Sequence, residues 1–488
     1  MTSQAPNSLT QEPEGVGGGR WLTWIVGSVS LLAYAYLAHA SQAYGQATLA
    51  KFLGVFTIAS VAAFGLFVAA SCGKLQLRWG DVLLFALLFR AAGVMGYPVL
   101  EDDHFRYLWD AWVFWNTGSP YGVPPSDYFD VDLDAVAAGL LDGINYPDVP
   151  TVYGPTAQWL FAASYWLSPG AIWPLQLLTA LADIGIVLLL RQLVALRWVV
   201  LYAWSPLLVK EFAFTAHIDV VGAFLLFAAI VALHRVRVAG IAVGVLLALA
   251  AGVKVFALLA VPFLLQNAWR GWLGFGVAAC LLAVPLLGVS ALEAVTNPGV
   301  IAAAWFPAGL TAMGQSWLFN AGLYLAALEI IGWAAITPMK LVLGFAFLIV
   351  SGWGLFWSCR SLVWPWRVAG HNMFSPHRTV AVTGYVVVLS GLMGLLFLLI
   401  LPVFNPWYLV WWLPIALVAQ QHGGWLVVTP WAASVVVALS YVTGLNTGCA
   451  AAAVPAANVG LGNRVLCACG SVRMGPNKPS QSLRVLQL

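Results

Sequence analysis

The chain has 488 residues, of which 62% are hydrophobic and only 8% charged, with a mean hydropathy of +0.89. A soluble globular chain carries roughly a quarter charged residues. This sequence therefore reads as an all-α polytopic membrane protein, and its formal charge of +3, with no basic block, excludes a nucleic-acid partner.

Residues 1–20 read as a polar, Gly-rich cytoplasmic tail, not a cleavable signal, because the apolar run at 21–39 is long enough to span. Further clear runs lie at 52–71, 82–100, 171–190, 214–234, 271–290, 341–358, 379–401 and 425–444. Shorter or interrupted runs lie at 156–168, 198–209, 239–265, 318–336 and 408–420. Broken segments are costly in lipid unless they face protein or a water-filled cavity, so they mark places to look for a site. Lys and Arg in short loops set orientation. Arg20, Lys74, Arg78, Arg235, Arg237, Arg360, Arg367 and Arg378, placed in the cytoplasm, put 101–155 outside. Parity then requires one of 156–168 or 171–190, and one of 318–336 or 341–358, to be re-entrant or interfacial.

Residues 101–153 hold 10 of the chain's 18 acids and a single arginine, Arg106, punctuated by proline and glycine. Short surface helices are expected over 104–117 and 133–141. Glu101, Asp102 and Asp103 stand side by side where the third run ends. Adjacent carboxylates at the edge of low dielectric hold at least one proton more tightly, which suits a general base. The same acids also serve simply to solvate a helix end.

Lys210, Glu211, His217 and Asp219 lie between two apolar runs with almost no polar spacer. Ionisable residues at that depth are expensive and face a cavity or each other; a snorkelling Lys210–Glu211 pair is the alternative. Lys254 falls inside 239–265, either snorkelling from one continuous helix or standing at the junction of two half-length helices. Residues 404–414, with Trp407 and Tyr408, form either an interfacial aromatic belt or a wall for a sugar or polyprenyl chain. The six cysteines show no paired metal spacing, and no P-loop, dinucleotide fingerprint, HExxH or nucleophile elbow is present. Residues 445–488 read as an atypical tail, disordered or frameshifted.

The segments 102–110, Gly118-Ser119-Pro120-Tyr121, Ile144-Asn145-Tyr146-Pro147 and 151–158 together resemble the GT-C superfamily of integral-membrane glycosyltransferases. The resemblance runs on through Ser205-Pro206, His217, Asp219, Lys254, 317–320 and Pro406-Trp407-Tyr408, and covers roughly 80–440. It is narrowest to bacterial polyprenyl-phosphate-mannose-dependent mannosyltransferases. Gly154, Ser205 and Ile218 depart from residues common in those relatives.

The resemblance implies a bundle of roughly 11–13 membrane helices over 21–444, with 101–155 as the outer catalytic loop. It implies inverting transfer of a hexose, mannose favoured, from a polyprenyl-monophosphate donor to a glycan or lipid-linked acceptor of the cell envelope. That transfer would occur on the outer face of a plasma or bacterial inner membrane. Asp102 and Asp103 would be catalytic. Arg106, Tyr107, Tyr153, Gln158, Lys210, His217, Asp219, Lys254, Trp407 and Tyr408 would bind the donor. No metal ligands and no firm cofactor are assigned, and a divalent cation stays open. The rival reading is a transporter or lipid-linked-sugar flippase, which also uses broken helices, although no internal repeat is evident.

Overall fold

The computed structural model describes residues 19–43, 45–235, 240–265, 268–287, 298–311, 322–332, 336–368, 377–419, 425–438 and 441. Residues 1–18, 317–320, Arg237 and 445–488 lie outside the described residues, as do the side chains of Arg235, Arg360, Arg367 and Arg378. The described residues are helical throughout, with no β-strand.

Among the described residues, five helices are long and apolar enough to cross a membrane: Arg20–Ala40 (α1), Leu49–Ser71 (α2), Trp173–Leu190 (α7), Trp269–Leu287 and Thr337–Phe356. A bent pair, Leu196–Phe214 with Asp219–Leu233, adds a sixth if taken as one span, with a bend of 117°. The pattern of α1 shows why these helices suit lipid. Its inward face carries Thr23, Gly27, Ser30 and Tyr34, while Trp21, Ile25, Val29 and Leu32 point outward. Helix packing in lipid uses small and hydroxyl residues, because apolar side chains gain nothing there by facing each other.

Between α2 and α7 lie α3 (Trp79–Val94), α4 (Asp103–Thr117), α5 (Ala135–Gly143) and α6 (Pro155–Leu167). The expected surface helices over 104–117 and 133–141 thus form as α4 and α5. Asp134 caps α5 by accepting from the backbone N–H groups of Val136 and Ala137 at 2.8 Å. Gly118 closes α4 in the left-handed conformation with φ 83°.

Contacts between ends fix the order of the bundle. Arg20 grips Asp81 at 2.9 and 3.0 Å, joining the starts of α1 and α3 at one end. At the other end, Gln176 in the first turn of α7 donates to the carbonyls of Gly96 (3.0 Å) and Phe214 (2.7 Å). Gly154, before α6, abuts Gly252, and Gly170, just past it, packs on Val136 of α5. Of the first pair of alternatives Trp173–Leu190 qualifies as a span by length and hydropathy, whereas 156–168 forms the 13-residue helix α6. In the second pair Thr337–Phe356 qualifies by length, whereas the described part of the other run is the ten-residue helix Gly322–Ile331.

A buried ion pair links α3 and α7 inside the bundle. Arg90 of α3 donates to Asp183 of α7 at 2.8 and 3.0 Å and also to the carbonyl of Ala203; Tyr202 donates to the other Asp183 oxygen at 2.7 Å. After α8 (Leu196–Ala203), residues Val209–Phe214 form a π-helical turn, followed by α9 (Asp219–Arg235). α10 (Ile241–Val253) packs on α11 (Trp269–Ala283) through glycines: a Cβ on Gly244 would collide with the Gly271 carbonyl. α12 (Ile336–Val368), α13 (His377–Leu395), α14 (Leu409–Ala419) and α15 (Trp425–Ala438) follow later in the chain.

Candidate active site

The π-helical turn is the foundation of the site. Its i→i+5 spacing is sustained by the Thr215 N–H donating to the Lys210 carbonyl at 3.0 Å, with the Thr215 hydroxyl on the same oxygen at 2.7 Å. Thr179 of α7 donates to the Phe212 carbonyl at 2.6 Å. Such turns recur at functional sites because the extra residue per turn re-aims side chains. Two non-glycine residues in the left-handed region flank it: Leu100 (φ 60°), just before Glu101, and Ala216 (φ 58°), just before His217. Each costs about 1–3 kcal/mol and persists only where the surroundings over-determine it.

Lys210 lies 3.1 and 3.2 Å from the two Glu211 oxygens and 3.5 Å from Glu101. Tyr441, from beyond α15, accepts from Lys210 and donates to Glu211, both at 2.6 Å. His217 shares a 2.9 Å hydrogen bond with the Tyr107 hydroxyl through Nδ1, and Asp103 lies 3.7 Å from the same nitrogen. The His217 ring stacks on Trp407 at 3.6 Å. On the adjoining side Lys254 donates to Asp219 at 3.0 Å and sits 4.2 Å over the Tyr408 ring, while Trp411 donates to the second Asp219 oxygen at 2.8 Å.

Lys254 stands in extended backbone (φ −156°, ψ 140°) between α10 and a 3-10 turn, Val255–Leu259. The run at 239–265 is therefore two short helices with Lys254 at their junction, not a continuous helix. Packing requires Gly154: a Cβ there would lie 2.5 Å from the Gly252 carbonyl, where α10 and α6 meet.

Asp103, His217, Tyr107, Lys210, Asp219, Lys254, Trp407 and Tyr408 are thus brought together, and Tyr153 packs edge-on against Tyr107 at 5.2 Å. Asp102 adjoins them but accepts from the Asn145 side chain. Arg106 and Gln158 are spent elsewhere. Arg106 donates to Asp110 and to the Val149 carbonyl, both at 2.8 Å. Gln158 donates to Asp110 and Thr151, both at 2.9 Å, and Thr151 donates to Asp110. These residues brace the 101–155 segment against α6. Glu101, Glu211, Trp411 and Tyr441 also belong to the cluster, although the sequence singled out none of them as a site residue. Glu101 and Glu211 were visible there as acids at a boundary; a lone tyrosine in an apolar run gave no signal.

Burial raises the Glu101, Asp102 and Asp103 carboxyls, Asp102 to about 6 and Asp103 to about 7, and Asp102 adds its own repulsion to Asp103. Asp103 sits in a crevice that leaves 34% of its side chain exposed, so it is walled in yet reachable. Burial also lowers His104 to about 3, which keeps that imidazole neutral. With every acid ionised, five carboxylates face two ammonium groups, an excess of three negative charges. A cleft of about 290 Å³ opens beside Tyr97, Trp173 and Gln176, and none of the charged residues lines it.

Comparison with protein-family models, with curated proteins and with solved structures gave no match.

Proposed function

We propose that the chain is a polytopic GT-C-type glycosyltransferase of roughly 11–13 membrane helices. It transfers a hexose, mannose favoured, from a polyprenyl-monophosphate donor to a glycan or lipid-linked acceptor at the outer face of the membrane. One observation carries this reading. Asp103, a reachable carboxylate with a raised proton affinity, stands beside His217 among ammonium groups and aromatic faces contributed by four distant segments. A general base works best when its pKa lies near ambient pH.

In the proposed reaction Asp103 takes the proton of the acceptor hydroxyl. The freed oxygen attacks the anomeric carbon, and the bond from that carbon to phosphate oxygen breaks with its electron pair leaving on polyprenyl phosphate. Lys254, 21% exposed, is the reachable cation for that leaving group. The Trp407 and Tyr408 faces suit a sugar ring or prenyl chain.

The purified chain, incubated with radiolabelled polyprenyl-phosphate-mannose and an acceptor lipid extract, should release polyprenyl phosphate and label the acceptor. Donor that crosses liposomes unchanged, with no release, would instead establish the transporter reading, which the helix breaks at 215–218 and Lys254 also favour.

A further inference from the structure

Glu101, Glu211 and His217 each offer one ligand atom, and the three atoms lie within 4.8 Å of one another. Glu211 Oε2 and His217 Nε2 are already 3.3 Å apart. Two ligands each about 2.1 Å from one ion stand roughly 3.0–3.4 Å apart, so that edge has metal-site dimensions. Only Glu101, the more exposed of the two glutamates, has to close in.

A second observation points the same way. His217 is wholly buried, and its Nε2 has no hydrogen-bond partner although it faces Glu211. An orphaned buried nitrogen is costly unless something else takes its lone pair. The groups behind the ring suit a metal ligand: the Tyr107 hydroxyl and the Asp103 carboxylate both face Nδ1. Outer partners of that kind hold the proton on one ring nitrogen and present the other to an ion. Stacking on Trp407 fixes the ring plane.

We propose that Glu101, Glu211 and His217 bind one divalent first-row cation, Zn²⁺ or Mn²⁺, for which the Lys210 ammonium holds the place. Two carboxylates and an imidazole suit either ion. Lys210 supplies one positive charge between two carboxylates, Glu101 and Glu211, where a divalent ion would supply two. If the glycosyltransferase reading holds, on which this last point alone rests, it also lets an anionic phosphate approach.

The test uses the full, untagged chain in detergent, stripped with chelator and titrated with Mn²⁺ followed by electron paramagnetic resonance, and with Zn²⁺ by calorimetry. One saturable equivalent is expected. Glu211→Gln and His217→Ala should each weaken it by at least about tenfold, and Lys210→Met should tighten it by removing a competing cation. Glu101→Gln, at the exposed edge, serves if the buried variants fail to fold, and should also weaken binding. Absence of a saturable equivalent, binding indifferent to these substitutions, or weaker binding by Lys210→Met overturns the site. No sugar donor is present, so the two readings fail separately. A chain that transfers sugar without binding an ion refutes the metal site alone; a chain that binds an ion but turns over no donor refutes the transferase alone.

Discussion

Replacing Asp103 with asparagine removes a proton acceptor while preserving shape. Sequence alone could not choose between Asp102 and Asp103. Their surroundings differ: Asp103 faces His217 and feels Lys254 and Lys210, whereas Asp102 stands at the start of α4 and accepts from Asn145. A positioned general base is worth roughly 10²–10⁴ in rate, or about 2.7–5.5 kcal/mol of barrier at about 1.36 kcal/mol per tenfold. Asp103→Asn should therefore lower donor turnover by at least about a hundredfold, and Asp102→Asn by less than about threefold, since an amide oxygen can still accept from Asn145.

The assay is release of polyprenyl phosphate from a radiolabelled donor in the presence of acceptor, with donor binding measured in parallel. For the native chain kcat/KM should climb as pH rises through about 7, because Asp103 accepts a proton only once it has lost its own. The sign for stability is opposite. A carboxyl whose proton is held more tightly in the folded state contributes stability at low pH that is lost as pH rises toward about 7. Activity and thermal stability should thus move in opposite directions across that window. Near-native turnover by Asp103→Asn, or an equal loss in Asp102→Asn, refutes the assignment.

Lys254→Met should weaken donor binding and slow turnover, measured by equilibrium binding and the same release assay; unchanged affinity and rate would remove Lys254 from the site. Asp183→Ala strands the Arg90 guanidinium in the bundle interior and should cost about 3–5 kcal/mol, seen as a lowered Tm in detergent. The double replacement Arg90→Met with Asp183→Leu should recover most of that loss. In a cysteine-free background, an impermeant thiol reagent on spheroplasts should label Ser126→Cys and spare Gly240→Cys; the reverse pattern would move the whole site to the cytoplasmic face.

The sequence was most legible where chemistry and spacing were local. The proline and glycine punctuation of 101–155 exposed α4 and α5, and an acid cluster at the end of an apolar run marked the boundary carboxylates. It was least legible where the partner is remote. Lys210 and Glu211 looked equally like a snorkelling interfacial pair, because nothing local announces that Tyr441, some 230 residues on, hydrogen-bonds both. Arg106 was only half legible for a related reason. Its helical spacing from Asp110 was visible, but its second bond, to the Val149 carbonyl, and the capture of Asp110 by Thr151 and Gln158 depend on how the loop folds back.

The breaks that confused the span count also explain why charge collects where it does. A helix that ends at membrane depth leaves backbone groups unpaired, positive at its N-terminus and negative at its C-terminus. α9 begins with Asp219 in its first turn, and α10 ends on Lys254. An anion therefore sits at a helix start and a cation at a helix end, each favoured by its own dipole, and the two close on each other at 3.0 Å. Neither charge is a stray in lipid. Each stabilises the break that exposes it, and the pair is held together by two short helices packed through Gly244 and Gly222 against their neighbours. It follows that Lys254→Met removes two things at once, a contact for the donor and the counter-charge of Asp219. Adding Asp219→Asn separates them. The double variant should regain the stability lost by the single one, because no buried charge is left unpaired, yet it should still bind the donor poorly. Recovery of donor affinity together with stability would mean that Lys254 serves only the helix ends.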